Sequence, residues 1–156
     1  MSSMSYALWA FFAGALIPLM AILNAGIARV AGGTIPATVL LFGTGFIGTL
    51  LFALATGTPL PGIQTLAKVP PQNFAGGLIV GLYILSITFL APRFGVGNAI
   101  LFAVTAQLIT AAAIDHFALA GATSRPLTTL RVVGLLIVII GVVITQASDR
   151  LLSGAR

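Results

Sequence analysis

The sequence predicts an all-α integral membrane protein with five transmembrane helices. The 156-residue chain is 59% hydrophobic and 6% charged, with a mean hydropathy of +1.18. A soluble domain carries about 25% charged residues, so this composition cannot cover a globular surface in water, and lipid is the solvent for most of the chain. The apolar residues also fall in five runs, each near the ~20 residues that cross ~30 Å of hydrocarbon at 1.5 Å per residue. These runs are long and continuous, without the alternation of a barrel strand.

The first span is expected over Tyr6–Ala28. Its leading stretch, MSSMSYALWAFFAG, lacks the Lys/Arg region of a signal peptide, and its apolar run exceeds a signal core, so it reads as a retained helix. Tyr6 and Trp9 are interfacial anchors by default. In GALIPLMAILNAG, Pro18 removes a backbone donor in mid-helix and frees a carbonyl for water, for a substrate group or simply for packing. Asn24 is either an interhelical hydrogen-bond anchor or a substrate-binding residue.

ARVAGGTIP, with Arg29, leads to the second span, Pro36–Gly57. There GTGFIGT sets Gly45 one turn from Thr49 and Thr44 one turn from Gly48. The longest polar connection, TGTPLPGIQTLAKVPPQN, holds four prolines and Lys68. It precedes the third span, Asn73–Ala91, which carries the small pair Gly77 and Gly81 and a deep Tyr83 that needs a polar partner. Such small-residue pairs let helices approach closely in lipid, within the chain first and at a dimer seam second.

APRFGVG, with Arg93, turns the chain into the fourth span, Gly97–Leu119. Here Ala99, Ala103, Gln107, Ala111 and Asp115 recur at every fourth position. That is one i±4 ridge, small except where it is polar. Gln107 falls near mid-membrane, and Asp115 lies ~12 Å further along the axis, towards an interface. Both should face protein or water, because a polar group facing lipid costs several kcal/mol. AGATSRPLTTLR, with Arg125 and Arg131, leads to the last span, Thr129–Gln146, where Gly134 and Gly141 share a face. A polar tail, 147–156, completes a single membrane domain, 1–156, without internal sequence repeats.

An odd number of spans puts the termini on opposite sides. Lys68, Arg125 and Arg131 then lie on the N-terminal side, against Arg29, Arg93, Arg150 and Arg156 on the other. An excess of one basic residue is a weak orienting signal. Two readings are open: insertion both ways up with antiparallel pairing, or one orientation fixed by other means.

The net charge of +5 does not predict nucleic-acid binding, because the seven basic residues are scattered singly. With no cysteine and one histidine the chain offers too few donors for a metal site. A nucleophile–base constellation and a phosphate loop are also lacking, so neither an enzyme nor a cofactor is expected. Asp115 is one of two acidic residues, and His116 beside it points ~100° away on a helix. These two either anchor the helix end, Asp115 pairing with Arg125 or Arg131, or they gate or couple transport.

IPLMAILNAGIAR in the first helix, LAPRFGVGNAI before the fourth, and Gln107 with the segment Ile114–Phe117 and Gly121 carry a family resemblance. Over about residues 8 to 147 the chain resembles the short, YdcZ-like branch of the drug/metabolite transporter (DMT) superfamily. The resemblance implies a transporter-like protein of the bacterial inner membrane. Its fold would be one five-helix half of an inverted repeat, completed by an antiparallel homodimer. Inverted repeats place substrate near the midplane and alternate access by rocking of the halves. Pro18, Asn24, Arg93, Gln107, Asp115 and His116 are the matching positions. Small multidrug exporters of the superfamily use a first-helix glutamate, which this chain lacks.

The function expected is therefore secondary transport of a small neutral or weakly polar organic molecule. Gln107 and Asn24, with Tyr83, would contact substrate or a partner helix. Pro18 and the Gly95/Gly97 turn would permit bending, while Asp115, His116 and Arg93 would gate or couple. The rivals are a non-transporting membrane subunit and a passive channel.

Overall fold

The computed structural model describes residues 3–154, with side chains over 3–148 except Ala120. Six helices follow in order: α1 Ser3–Val30, α2 Thr34–Ala55, the short α3 Ile63–Leu66, α4 Ala75–Phe94, α5 Val96–Phe117 and α6 Thr129–Gly154. Among the described residues, five segments are long and apolar enough to span a membrane. They are Ser3–Val30, Thr34–Ala55, Pro71–Phe94, Val96–Phe117 and Thr129–Ser148, with mean hydropathies from 1.7 to 2.4. Large apolar side chains such as Phe11, Phe46, Leu78 and Ile137 stand exposed along them, as expected where lipid is the solvent.

The helix ends follow local chemistry. Gly32 turns left-handed after α1 (φ +83°), and the Gly33 N–H donates to the Ala28 carbonyl at 2.9 Å. This closes α1 in the manner of a Schellman turn. The third span is expected to end near Ala91, and α4 runs three residues further, through Pro92 to Phe94. In the last turn a proline removes only the N–H that would serve the Thr88 carbonyl, so the helix survives it. Gly95, at φ +90°, is the single residue between α4 and α5.

α5 stops at Phe117, two residues before the expected end, and Ala118 turns left-handed (φ 49°). α6 runs on to Gly154 and takes in most of the expected polar tail. Ser148–Leu152 contains neither glycine nor proline to break it. Arg150 and Arg156 lie outside the described side chains.

Contacts divide the chain into two compact units, Met1–Val96 and Gly97–Arg156. In the first, α1 packs on α2 and α4, and α2 packs on α4. Small side chains permit this approach: Ala21 and Ala37 have no exposed surface. On α4 the buried residues Ile84, Ile87, Thr88 and Ala91 have the i, i+3, i+4, i+7 spacing of one helix face.

The second unit is an antiparallel hairpin of α5 and α6, bridged at both ends. Arg131 donates to the Asp115 carboxylate at 2.7 Å, and the Gln146 amide donates to Asn98 at 2.7 Å. These pairings fix a register in which Gln107 lies level with Val138, and Ala111 with Gly134. Asn98 and Asp115 are ~25 Å apart along α5, so the bridges fall near the two boundaries of the hydrocarbon.

Candidate functional site

The first unit contains a polar bridge buried between apolar helices. Asn24 Nδ2 on α1 donates to Thr88 Oγ1 on α4 at 2.7 Å, and each residue is 1% exposed. Among the described residues Asn24 Oδ1 has no hydrogen-bond partner, nor does the buried Thr38 Oγ1 of α2. A buried acceptor left without a donor costs about 1–3 kcal/mol.

Two cavities flank the bridge. One, of about 480 Å³, is lined by Asn24 with Met20, Leu23, Leu41, Thr44 and Gly45. The other, of about 490 Å³, is lined by Thr88 with Arg29, Thr34, Phe89, Pro92 and Arg93. A single hydrogen-bonded pair therefore contributes one member to each cavity. The first is apolar apart from Asn24 and Thr44, and the second is basic.

Pro18 lies inside α1, which continues unbroken on both sides of it. Tyr83 is half-buried, and its hydroxyl has no hydrogen-bond partner among the described residues. Arg93 is held in place, since Nη1 donates to the Phe89 carbonyl at 2.8 Å and the guanidinium lies 3.7 Å over the Phe89 ring. That combines a hydrogen bond with cation–π attraction.

In the second unit Asp115 and His116 organise the end of the hairpin. Asp115 pairs with Arg131 and not with the Arg125 side chain. The Arg125 backbone N–H instead donates to the Asp115 carbonyl at 2.9 Å. His116 Nδ1 accepts from the Leu127 N–H at 3.2 Å, and its ring stacks edge-on against Phe117. Thr128 Oγ1 accepts from the Arg131 N–H at 3.2 Å, the pattern of an N-cap opening α6. The helix-end geometry among the two readings of Asp115 and His116 is thus present.

Along the α5 ridge Ala99 is buried, Ala103 half-buried, and Gln107 and Ala111 exposed. Gln107 has no hydrogen-bond partner among the described residues. The glycines of the small-residue pairs differ in their surroundings. A methyl group at Gly81 would meet Phe42 at 3.9 Å, but at Gly45, Gly48, Gly77, Gly134 or Gly141 it would have no described neighbour within 4 Å. Within its own unit, each of these small faces is open among the described residues.

The chain matches the family model described as "Putative inner membrane exporter, YdcZ" over residues 5–144. It belongs to the YdcZ family of the DMT superfamily. No curated protein and no solved structure matches it. As a YdcZ-family chain it is a multi-pass membrane protein with a transporter-like helical architecture.

Sequence reasoning did not single out Thr88 or the cavity role of Arg29, and it left Asn98 and Gln146 unpaired. A signal for Thr88 was present: it stands four residues before Pro92, at the carbonyl that the proline leaves without a donor. Its pairing with Asn24, 64 residues away, has no local signature.

Proposed function

We propose that this YdcZ-family chain is a secondary transporter of the bacterial inner membrane, moving a small neutral or weakly polar organic molecule. The observation that carries this reading is the Asn24–Thr88 bridge, with its unpartnered acceptor, set between two cavities among apolar helices. A neutral molecule with a hydroxyl or amide donor suits Asn24 Oδ1, and the Met20, Leu23 and Leu41 walls suit its apolar part. Repacking of α1 against α4 around this bridge would exchange access to Asn24 Oδ1 from one side for access from the other. That exchange is the physical basis of alternating access in this reading.

The working unit is an antiparallel homodimer, which supplies the second half of an inverted repeat. Two features support it: the near-balanced Lys/Arg distribution and the open small faces at Gly45, Gly48, Gly77, Gly134 and Gly141. Exposed Gln107, level with the hairpin's middle, would meet the partner chain or the substrate, and half-buried Tyr83 is a further contact. Asp115, His116 and Arg93 are the gating or coupling residues, and Pro18 is the hinge. Those open faces equally suit a larger membrane partner, which is the second reading.

Uptake into proteoliposomes of the purified chain, screened over neutral and weakly polar metabolites, tests the proposal. Saturable flux that falls at least about tenfold in Asn24→Ala plus Gln107→Ala is expected, from the loss of the substrate hydrogen bonds these two amides supply in this reading. Unchanged flux in that variant, with helicity intact, would sink the site assignment. Conductance that never saturates would make it a channel. A stoichiometric co-purifying partner, with no flux from the chain alone, would make it a subunit.

A further inference from the structure

The cavity at the α1–α2 turn has chemistry that a neutral substrate does not use. Arg29, in the last turn of α1, and Arg93, in the last turn of α4, both line it. Residues 1–96 contain no aspartate or glutamate at all. Two guanidiniums therefore share one cavity with no carboxylate in their own unit to neutralise them.

The other walls donate as well. Gly33 and Thr34, at the N-terminus of the 22-residue α2, line the same cavity. That end has no side-chain cap and no acidic residue in its first turn, so its free N–H groups and positive dipole end remain uncompensated. Thr88 adds a further donor. Its oxygen accepts from Asn24, but its own hydroxyl proton has no acceptor among the described residues. The other helical hydroxyls of Thr49, Ser86, Thr105 and Thr145 all return theirs to a carbonyl one turn back. Thr88 is 1% exposed and lines the cavity, so the unspent donor is buried. Arg93 is preorganised by Phe89 with one N–H committed and the rest of its fork free.

We propose that this cavity binds a phosphate-type oxyanion, clamped by Arg29 and Arg93 with the α2 N-terminus and the Thr88 hydroxyl as supporting donors. Arginine forks match the geometry of phosphate oxygens, and a helix N-terminus favours the same charge. The cavity lies where α1 and α4 end and α2 begins, and the ends of spans of this length fall towards the headgroups. The oxyanion is therefore either the phosphate of an anionic lipid or a soluble phosphate. The site does not rest on the transport reading, since it would stand in a subunit or a channel too.

The test is thermal melting of the full chain in a neutral detergent, followed by circular dichroism. Inorganic phosphate is titrated against chloride at equal ionic strength, and phosphatidylglycerol is titrated against phosphatidylcholine in mixed micelles. A saturable rise in melting temperature with phosphatidylglycerol alone assigns a lipid headgroup. A saturable rise with inorganic phosphate assigns a soluble ligand. In either case Arg29→Gln plus Arg93→Gln should raise the half-saturating concentration at least about tenfold, while Lys68→Gln leaves it unchanged. No saturable rise with either probe overturns the proposal. So does a rise that the double variant retains, or one that Lys68→Gln weakens equally. If the double variant does not fold, Arg93→Lys keeps the charge and removes the fork. It should weaken binding several-fold, and unaltered binding there also overturns the site.

Discussion

Asn24 carries two polar side-chain atoms and, among the described residues, one side-chain partner. Its Nδ2 is satisfied by Thr88, and its Oδ1 is not. Thr88→Val keeps the shape of the side chain and removes the acceptor. It should lower stability by about 1–3 kcal/mol, because Asn24 Nδ2 is then buried without a partner. Thr88→Ser, which keeps the hydroxyl, should cost less than half as much. Comparing the two melting curves checks this, and equal melting temperatures would show that the bridge contributes nothing. Only part of this site was legible in the sequence. Asn24 was conspicuous because an amide in an apolar run must find a partner or a purpose. Thr88 was not, since a threonine in a membrane helix ordinarily satisfies itself on the preceding turn, and its partner lies on another helix. Gln107 was conspicuous for the same reason as Asn24, yet it has no hydrogen-bond partner among the described residues.

At the scale of elements, the α5–α6 hairpin shows how few polar contacts set a register between apolar helices. Lipid gives these two helices little hydrophobic drive to associate. Asp115–Arg131 and Asn98–Gln146 at opposite ends specify which residues face which. Both ends of the ion pair are about one-third exposed, so its coupling is expected to be about 1 kcal/mol or less rather than that of a buried pair. A double-mutant cycle with Asp115→Asn and Arg131→Gln should return that value, and the charge-reversed pair Asp115→Arg with Arg131→Asp should recover part of it. A coupling near zero would leave Asp115 free for gating. The five spans themselves were legible, because composition and run length leave no other structure for lipid-exposed backbone. Their ends were less so. Pro92 suggested a stop and is carried inside the last turn of α4, and the polarity of Ser148–Arg150 suggested an unstructured tail where local propensity continues the helix.

For the whole molecule, the decisive quantity is orientation. On the five-span reading the sequence assigns three basic residues to one side and four to the other, so a small change in loop charge should tip the balance. The chain has no native cysteine, which makes topology directly measurable. One cysteine added near each terminus should be labelled from both sides of the membrane if the chain inserts both ways up. Adding four arginines to the connection around Lys68 should drive nearly all copies into one orientation, and adding two beside Arg93 should drive them into the other, since each change leaves an excess of three in place of one. An antiparallel homodimer then makes a specific demand. Each biased variant alone should lose most of its flux, because it lacks inverted partners, and co-expression of the two should restore it. Full flux from a single-orientation variant would remove the antiparallel homodimer. It would also direct attention to the open faces at Gly45, Gly77 and Gly134 as seams for a parallel copy or for a different membrane protein.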